Sequence, residues 1–332
     1  MPTKTREIHL AARPTGWPAP DDFRLVETEL PDPGPGEVLV RNTVMSVDPY
    51  MRGRMNDMKS YVPPYRLGEV LDGGAVGTVV ASNDDSLAVG DTVLHQLGSR
   101  EHALAPAASF RRVDTSGVEE SAYLGVLGMP GLTAYVGLTA IAGLREGDRV
   151  LISGAAGAVG STAGQVARLL GASAVVGSAG SAEKVAWLTD DLGFDAAVNY
   201  RDGSPLKLLE PHGPFDVYFD NVGGEHLEAA IALLSDHGRI AACGSIASYN
   251  DELPTPGPRN MFQVVTKRLR MQGFIVTDHG DVAREYQQLA RQWVADGKLV
   301  SRETVVEGLD HAVDAFLGLH RGENLGKMLV RL

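Results

Sequence analysis

The chain changes texture about a third of the way along. Up to residue 125, apolar positions come in short runs broken by turn residues. FRLVETEL (Phe23–Leu30) and EVLVRNTVMSV (Glu37–Val47) flank PDPGPG, which predicts two strands around a Pro/Gly turn. GGAVGTVVAS (Gly73–Ser82) and GDTVLHQLG (Gly90–Gly98) continue the pattern. Many short strands without helical period predict a barrel-like or sandwich domain.

Near Met129 the period changes. GLTAYVGLTAIAGL (Gly131–Leu144) carries apolar residues at helical spacing. RVLISG (Arg149–Gly154), SAVVGSAG (Ser173–Gly180), DAAVNY (Asp195–Tyr200), FDVYFDNVG (Phe215–Gly223) and GRIAACGS (Gly238–Ser245) are short β-prone runs. Between them stand the helical stretches TAGQVARLLGA (Thr162–Ala172), SAEKVAWLTDDLG (Ser181–Gly193) and GEHLEAAIALLSDH (Gly224–His237). Ser181 is a natural N-cap with Glu183 in the first turn. After RMQGFIV (Arg270–Val276) comes the helical segment His279–Leu299, and the chain ends in the strand-like GKMLVRL (Gly326–Leu332). Strands alternating with helices predict an α/β fold with a doubly wound parallel sheet. We expect three segments: 1–125 for the first part of a β-rich catalytic domain, 126–300 for a Rossmann nucleotide-binding domain, and 301–332 for a return to the first domain.

Composition narrows the function. Of 332 residues, 44% are hydrophobic and 22% charged, as in ordinary globular proteins. A net charge of -12 with no offsetting basic block argues against nucleic acid or an anionic membrane as the main partner. No apolar run has the length of a membrane span, and the first residues lack a signal-peptide core. The one cysteine, Cys243, excludes an intrachain disulfide and any multi-cysteine zinc site. A reducing cytoplasm is the expected compartment.

The chemistry begins at ISGAAGAVGS (Ile152–Ser161), where Gly154, Gly157 and Gly160 stand three apart between a strand and a helix. Such a turn lets backbone N–H groups approach a pyrophosphate, and the helix N-terminus adds partial positive charge. Gly154 would make the turn, Gly157 the close approach and Gly160 the helix–strand contact. Tight packing in any βαβ unit is the competing reading. No Gly-Lys-Ser/Thr follows, so the loop is not of the Walker type. The end of the second strand chooses the nucleotide. Ser178, Ala179 and Gly180 carry no carboxylate for a ribose hydroxyl, and Lys184 follows closely. Tyr200 could donate to the same phosphate. One charge-assisted contact here is worth ~1.5–3 kcal/mol, enough to favour NADPH, although a solvated first-turn lysine is the plainer reading of Lys184.

Taken together, AAGAVGSTAGQ, VGSAGSAEKV, VNYRDG, FDNVGG and GENLGKMLV, with SVDPYMRG (Ser46–Gly53), MPGLTAY (Met129–Tyr135) and SIASYN (Ser245–Asn250), give the chain a close likeness to one group. It resembles the zinc-free medium-chain dehydrogenase/reductases, in the branch of prostaglandin, alkenal double-bond and curcumin reductases. The matches run from Ser46 to the C-terminus. The resemblance implies a GroES-like catalytic domain, a Rossmann domain, NADPH, reduction of a carbon–carbon double bond conjugated to a carbonyl, and a homodimer formed through the nucleotide domains. It implies that Ala156, Ala158 and Val159 in the loop, with Asn221, Cys243, Gly244, Ser245, Phe274, Val276 and Asn324, line the cofactor. Thr133 would meet its nicotinamide end, and Tyr50, Met129 and Pro130 would wall the substrate pocket. Phe274 and Val276 also read as sheet core, Asn324 as a turn residue, and Thr133 as an ordinary helix-start residue. Where zinc relatives carry Gly-His-Glu, this chain has LGEVLDGGAVG, and its nine histidines show no metal spacing, so no metal is expected.

Hydride delivery to the β-carbon of an enone puts negative charge on the carbonyl oxygen. The nicotinamide ribose hydroxyl is one donor to that oxygen. Tyr249, just past a sheet strand, is the protein's candidate; a pocket wall without a proton role is the alternative. The Pro-rich Asp251–Asn260 reads as a cover for the substrate or as a surface linker. A quinone reductase of the same superfamily, or a non-catalytic NADPH sensor, are the competing functions.

Overall fold

The computed structural model describes residues 2–253 and 256–332. Pro254 and Thr255, inside the Pro-rich segment read above as a cover, lie outside the described residues. The chain opens with strands β1 (Thr3–Leu10), β2 (Phe23–Leu30) and β3 (Glu37–Ser46), a short helix α1 (Tyr50–Arg54), then β4 (Ala75–Ser82), β5 (Thr92–His95), β6 (His102–Pro106) and β7 (Arg111–Arg112). The middle of the chain alternates: α2 (Met129–Val136), β8 (Arg149–Ile152), α3 (Ala158–Leu169), β9 (Ala174–Ala179), α4 (Ala182–Ala186), β10 (Ala196–Asn199), α5 (Pro205–Leu209), β11 (Phe215–Asp220), α6 (Gly224–Leu233), β12 (Leu234–Ala242), α7 (Phe262–Thr266), β13 (Arg270–Gly273) and α8 (Gly280–Ala295). It closes with β14 (Glu303–Glu307), α9 (Ala312–Arg321) and β15 (Lys327–Arg331).

These elements form two compact units, one of Met1–Leu124 with Glu303–Leu332, the other of Gly125–Arg302. In the first, β1 and β2 make a hairpin-like pair. A second sheet runs β14-β15-β3-β4-β5-β7, with β6 also on β3. The returning C-terminal strand β15 pairs antiparallel with β3. A buried cation fastens it. The Lys327 ammonium donates to Asp48 Oδ1 at 3.0 Å and to the Val47 carbonyl at 2.8 Å. With Lys327 and Asp48 both buried, this pair is secured by its extra hydrogen bonds rather than by charge alone. The core of the unit is rich in methionine and aliphatic side chains, among them Ile8, Leu10, Met45 and Met55, with Phe316 packed among them.

The second unit is a parallel sheet in the order β10-β9-β8-β11-β12-β13. Its first three strands run outward from β8 and its last three outward from β11, which is the doubly wound order with a switch between β8 and β11. β9 is buried at every position, as a central parallel strand must be. The helical pattern of Gly224–His237 stops earlier than its apolar period predicts. The chain is already a strand at Leu234, paired with Phe215. A register shift follows between Phe215 and Val217 on the partner strand, and His237 takes φ 64. Sheet pairing outweighs local helix propensity there. Similarly, the helical periods after Met129 and Ser181 are completed by wide turns, Gly137–Ile141 and Trp187–Asp191.

Candidate cofactor and active site

The strand ends of the second unit carry most of the candidate residues. Ser153 to Gly157 follow β8 as a tight turn, with Gly154 at φ 57 and Gly157 the N-cap of α3. The two other glycines of the loop differ in what holds them. A Cβ on Gly160 would lie 2.4 Å from the Gly154 carbonyl oxygen, so helix and turn pack too closely for any side chain. A Cβ on Gly157 would make only an ordinary 3.4 Å contact. The protein's own packing therefore does not require glycine at 157. No side chain caps α3, so its first amides are left to a ligand by the geometry of a helix start. Ala158 and Val159 are half-buried beside this opening, whereas the Ala156 methyl is buried and offers only backbone.

Across the switch point a carboxylate orders the second loop. Asp220, buried at the end of β11, accepts at Oδ1 from the Tyr218 hydroxyl at 2.8 Å, the Val222 amide at 3.0 Å, the Gly223 amide at 2.8 Å and the Ser153 hydroxyl at 3.2 Å. Burial raises its pKa, and these donors oppose the rise. Ser153 then binds the neighbouring Asn221. Its Oγ accepts the Asn221 amide at 3.0 Å, and its carbonyl accepts from Asn221 Nδ2 at 2.8 Å. The glycine turn and FDNVGG are thereby tied into one piece.

The next strand end joins the same piece. Cys243 and Gly244 donate their amides to the Asp220 carbonyl, and Ile246 and Ala247 donate to the carbonyls of Asn221 and Val222. Burial, then Asp220, push the Cys243 thiol up to about 12, so it is an inert protonated thiol. The Ser245 amide donates to the Tyr249 hydroxyl at 3.4 Å. That hydroxyl lies 3.2 Å from where a Gly244 Cβ would be. Tyr249 is half-buried, fixed by backbone at the C-terminal end of β12.

At the other end, Ala179 closes β9, with Ser178 just before it and Gly180 just after. A Cβ on Gly180 would meet the Tyr200 hydroxyl at 2.7 Å, so the phenol lies directly over the glycine. Ser181 caps α4 by accepting the Lys184 amide at 3.2 Å. Burial, and next the Arg201 guanidinium, lower the Lys184 pKa, while Glu183 raises it. Lys184 and Arg201 thus lie close enough to interact, with an exposed phenol over Gly180 and no carboxylate on Ser178, Ala179 or Gly180. That is a donor set for a dianion.

The remaining candidates are placed as follows. Phe274 packs edge-on against Phe219, with ring centroids 6.5 Å apart, and Val276 starts a short turn after β13; both are half-buried. The Thr133 hydroxyl donates to the Met129 carbonyl at 2.7 Å, so toward a ligand it can only accept. Met129 is exposed and Pro130 buried at the start of α2. Their turn is anchored by α8, whose Tyr286 hydroxyl donates to the Val126 carbonyl at 2.6 Å and whose Gln287 donates to that of Leu127 at 2.6 Å. Tyr50 and Asn324 belong to the first unit. Tyr50 opens α1 half-buried, its pKa raised by burial and then by Asp48. Asn324 is buried, its Nδ2 donating to the Gly326 carbonyl at 2.8 Å. The Asp220 hub and the α8 anchor escaped the sequence reading. Their partners lie up to 160 residues away in sequence, and no local pattern marks them.

This arrangement is that of a nucleotide-dependent dehydrogenase/reductase of the medium-chain class. A family model described as the N-terminal domain of oxidoreductase matches residues 6–113, and one described as zinc-binding dehydrogenase matches residues 158–296. The chain is 41% identical to the NADPH-dependent curcumin reductase of Escherichia coli, over 99% of this chain and 97% of that protein. It is 38% identical to the NADP+-dependent 2-alkenal reductase of Nicotiana tabacum, over 98% and 96%. The crystal structure of CurA from Vibrio vulnificus in complex with NADPH superposes with a TM-score of 0.93 at 41% identity, covering 98% of each chain. The chain belongs to the medium-chain dehydrogenase/reductase family, in its branch of prostaglandin, alkenal and curcumin reductases. The zinc in one model's description finds no fit here. Among the described residues no three His, Cys, Asp or Glu side chains gather as a cation site, and Cys243 holds its proton. Among the described residues no helix is long and apolar enough to cross a membrane.

Proposed function

We propose that this protein is an NADPH-dependent reductase of carbon–carbon double bonds conjugated to a carbonyl, acting on alkenals and enones. The observation that carries this reading is the Tyr249 hydroxyl, held by the Ser245 amide at the end of β12, in a fold whose glycine turn leaves Gly157 free of close packing. Bound NADPH would supply the hydride and a ribose hydroxyl as a second donor. The Ser245 amide takes up a lone pair of the phenol oxygen and not its proton. Tyr249 would give that proton to the enolate oxygen as charge develops. Asp220 holds Asn221 and the turn beneath the reacting end. Lys184, Tyr200 and Gly180 receive the 2′-phosphate, with Arg201 as a second cation.

The test is a panel of alkenals, enones and quinones with NADPH and NADH, followed as cofactor oxidation with product analysis. We expect saturated aldehydes and ketones from enones, with NADPH preferred. Quinone turnover without enone turnover would assign the other branch of chemistry, and no turnover at all would leave a nucleotide-binding protein.

We further propose a homodimer through the nucleotide unit. β13 is the edge of its sheet and exposed at all four positions, and Phe262, Val265 and Met271 nearby are exposed. Such an edge is a template for a second strand. Light scattering should give twice the 35.2 kDa chain mass. The single-thiol composition supports a reducing, cytoplasmic setting.

A further inference from the structure

His226 stands in the first turn of α6, six residues beyond Asp220, and plays no part in the chemistry above. It is buried, and so is Ser178 at the end of β9, whose side chain is 0% exposed. Ser178 Oγ and His226 Nε2 are hydrogen-bonded at 2.8 Å, so each satisfies the other where water is excluded. The opposite interaction is with Tyr200. The two rings meet edge to face, with centroids 5.2 Å apart and planes at 83°. Tyr200 is otherwise a surface residue, 37% exposed. Burial lowers the imidazole pKa to about 4, so the ring is neutral near pH 7 and adds no charge to the phosphate corner.

We propose that His226 is a positioning residue for nucleotide recognition, holding the Tyr200 ring so that its hydroxyl stays over Gly180, where a 2′-phosphate is read. This inference rests on the NADPH reading. Tyr200 follows β10 on a turn, and its ring needs a lateral stop. His226 provides one from a helix that begins at the Asp220-ordered loop. The His226 amide donates to the Gly223 carbonyl at 3.1 Å, and Gly223 donates to Asp220. The brace for the adenosine end is thus founded on the loop of the nicotinamide end.

Two substitutions divide the two contacts of the imidazole. His226→Gln keeps an amide for Ser178 and removes the ring. His226→Phe keeps the ring for Tyr200 and leaves Ser178 unpaired. The readout is the dissociation constant of 2′,5′-ADP, with 5′-AMP as control, by titration calorimetry on the full chain. An aromatic edge contact is worth ~0.5–1.5 kcal/mol, so His226→Gln should weaken 2′,5′-ADP about fivefold and leave 5′-AMP unchanged. His226→Phe should stay within about twofold for both while lowering thermal stability. In a Tyr200→Ala background, His226→Gln should have no further effect on 2′,5′-ADP. A merely structural histidine gives the reverse order, with His226→Phe the worse binder or both nucleotides weakened alike, and that result overturns the proposal. Unchanged 2′,5′-ADP binding in His226→Gln also overturns it. A wild-type protein that binds 2′,5′-ADP no more tightly than 5′-AMP would instead overturn the NADPH reading, and this inference with it.

Discussion

The two ends of the proposed nucleotide trough are built on different principles. At the nicotinamide end, a buried carboxylate and the backbone it gathers do the fixing. Asp220 collects two amides and two hydroxyls, and the 243–247 segment is laid on the 220–222 segment by four main-chain bonds. At the adenosine end, side chains do it. Lys184 and Arg201 supply charge, Tyr200 supplies a hydroxyl, and a single imidazole braces the phenol. The contrast suits the two tasks. Hydride and proton transfer demand sub-ångström placement, which a buried, over-determined backbone provides. Choosing between a phosphate and a hydroxyl needs only the right charge within reach, which a few exchangeable side chains provide.

The contrast is broken most violently at Asp220. Asp220→Ala leaves the Val222 and Gly223 amides without an acceptor, while Tyr218 and Ser153 can still pair with each other at 2.9 Å. One buried and one part-buried orphan donor cost about 1–3 kcal/mol each. We expect a loss of about 4 kcal/mol in chemical denaturation, with turnover lost alongside. No comparable loss should follow any single substitution at Lys184, Tyr200 or Arg201. A variant at the adenosine end that unfolds as readily as Asp220→Ala would erase the distinction.

The next effect is kinetic. Tyr249→Phe keeps the ring and removes the proton. We expect the single-turnover reduction of an enone to slow ~10²-fold, the lower end of general-acid contributions, because the cofactor's ribose hydroxyl remains. NADPH affinity should barely change. An unchanged single-turnover rate would make Tyr249 a pocket wall.

Lys184→Ala tests the adenosine end. It removes one charge-assisted contact of ~1.5–3 kcal/mol, so the NADPH dissociation constant should rise about tenfold or more and that of NADH less than twofold. Arg201 should retain part of the preference. Equal weakening of both cofactors would mean that Lys184 acts on the fold.

The two ends also differ in how far the sequence reveals them. The glycine turn is legible because strand, turn and helix are contiguous and each glycine has a local cause. Lys184 and Ser181 are legible for the same reason, since a cap and its first turn are four residues. Asp220 is not, because within FDVYFD it is one more polar position at a strand end, and its partner Ser153 is 67 residues away. His226 looks like any of nine scattered histidines until the fold brings it to Ser178, 48 residues distant. The strands β1 and β6 were missed as well. Their apolar alternation is weak, and they become strands by pairing with β2 and β3. Local chemistry is written locally, whereas support is written across the fold.

The smallest expected effect on the fold is at Gly157, and it separates binding from stability within one loop. Gly160→Ala must drive a methyl to 2.4 Å from the Gly154 carbonyl oxygen and 2.8 Å from Ala155 Cα. Backbone cannot give that much, so the variant should lose about 1–3 kcal/mol of stability, as overpacked cores do. Gly157→Ala meets nothing nearer than 3.4 Å and keeps φ at -85, which alanine adopts freely. It should therefore melt within about 0.5 kcal/mol of the wild type. On the proposed reading its methyl nonetheless intrudes where the pyrophosphate would lie. NADPH and NADH should both bind about fivefold to tenfold more weakly, and to the same degree, because the pyrophosphate is common to both. That equal loss sets Gly157 apart from Lys184, whose loss is confined to NADPH. Unchanged cofactor affinity in a stable Gly157→Ala protein would show that the pyrophosphate does not press on this turn, and the account of the nicotinamide end would have to start from a different entry for the cofactor.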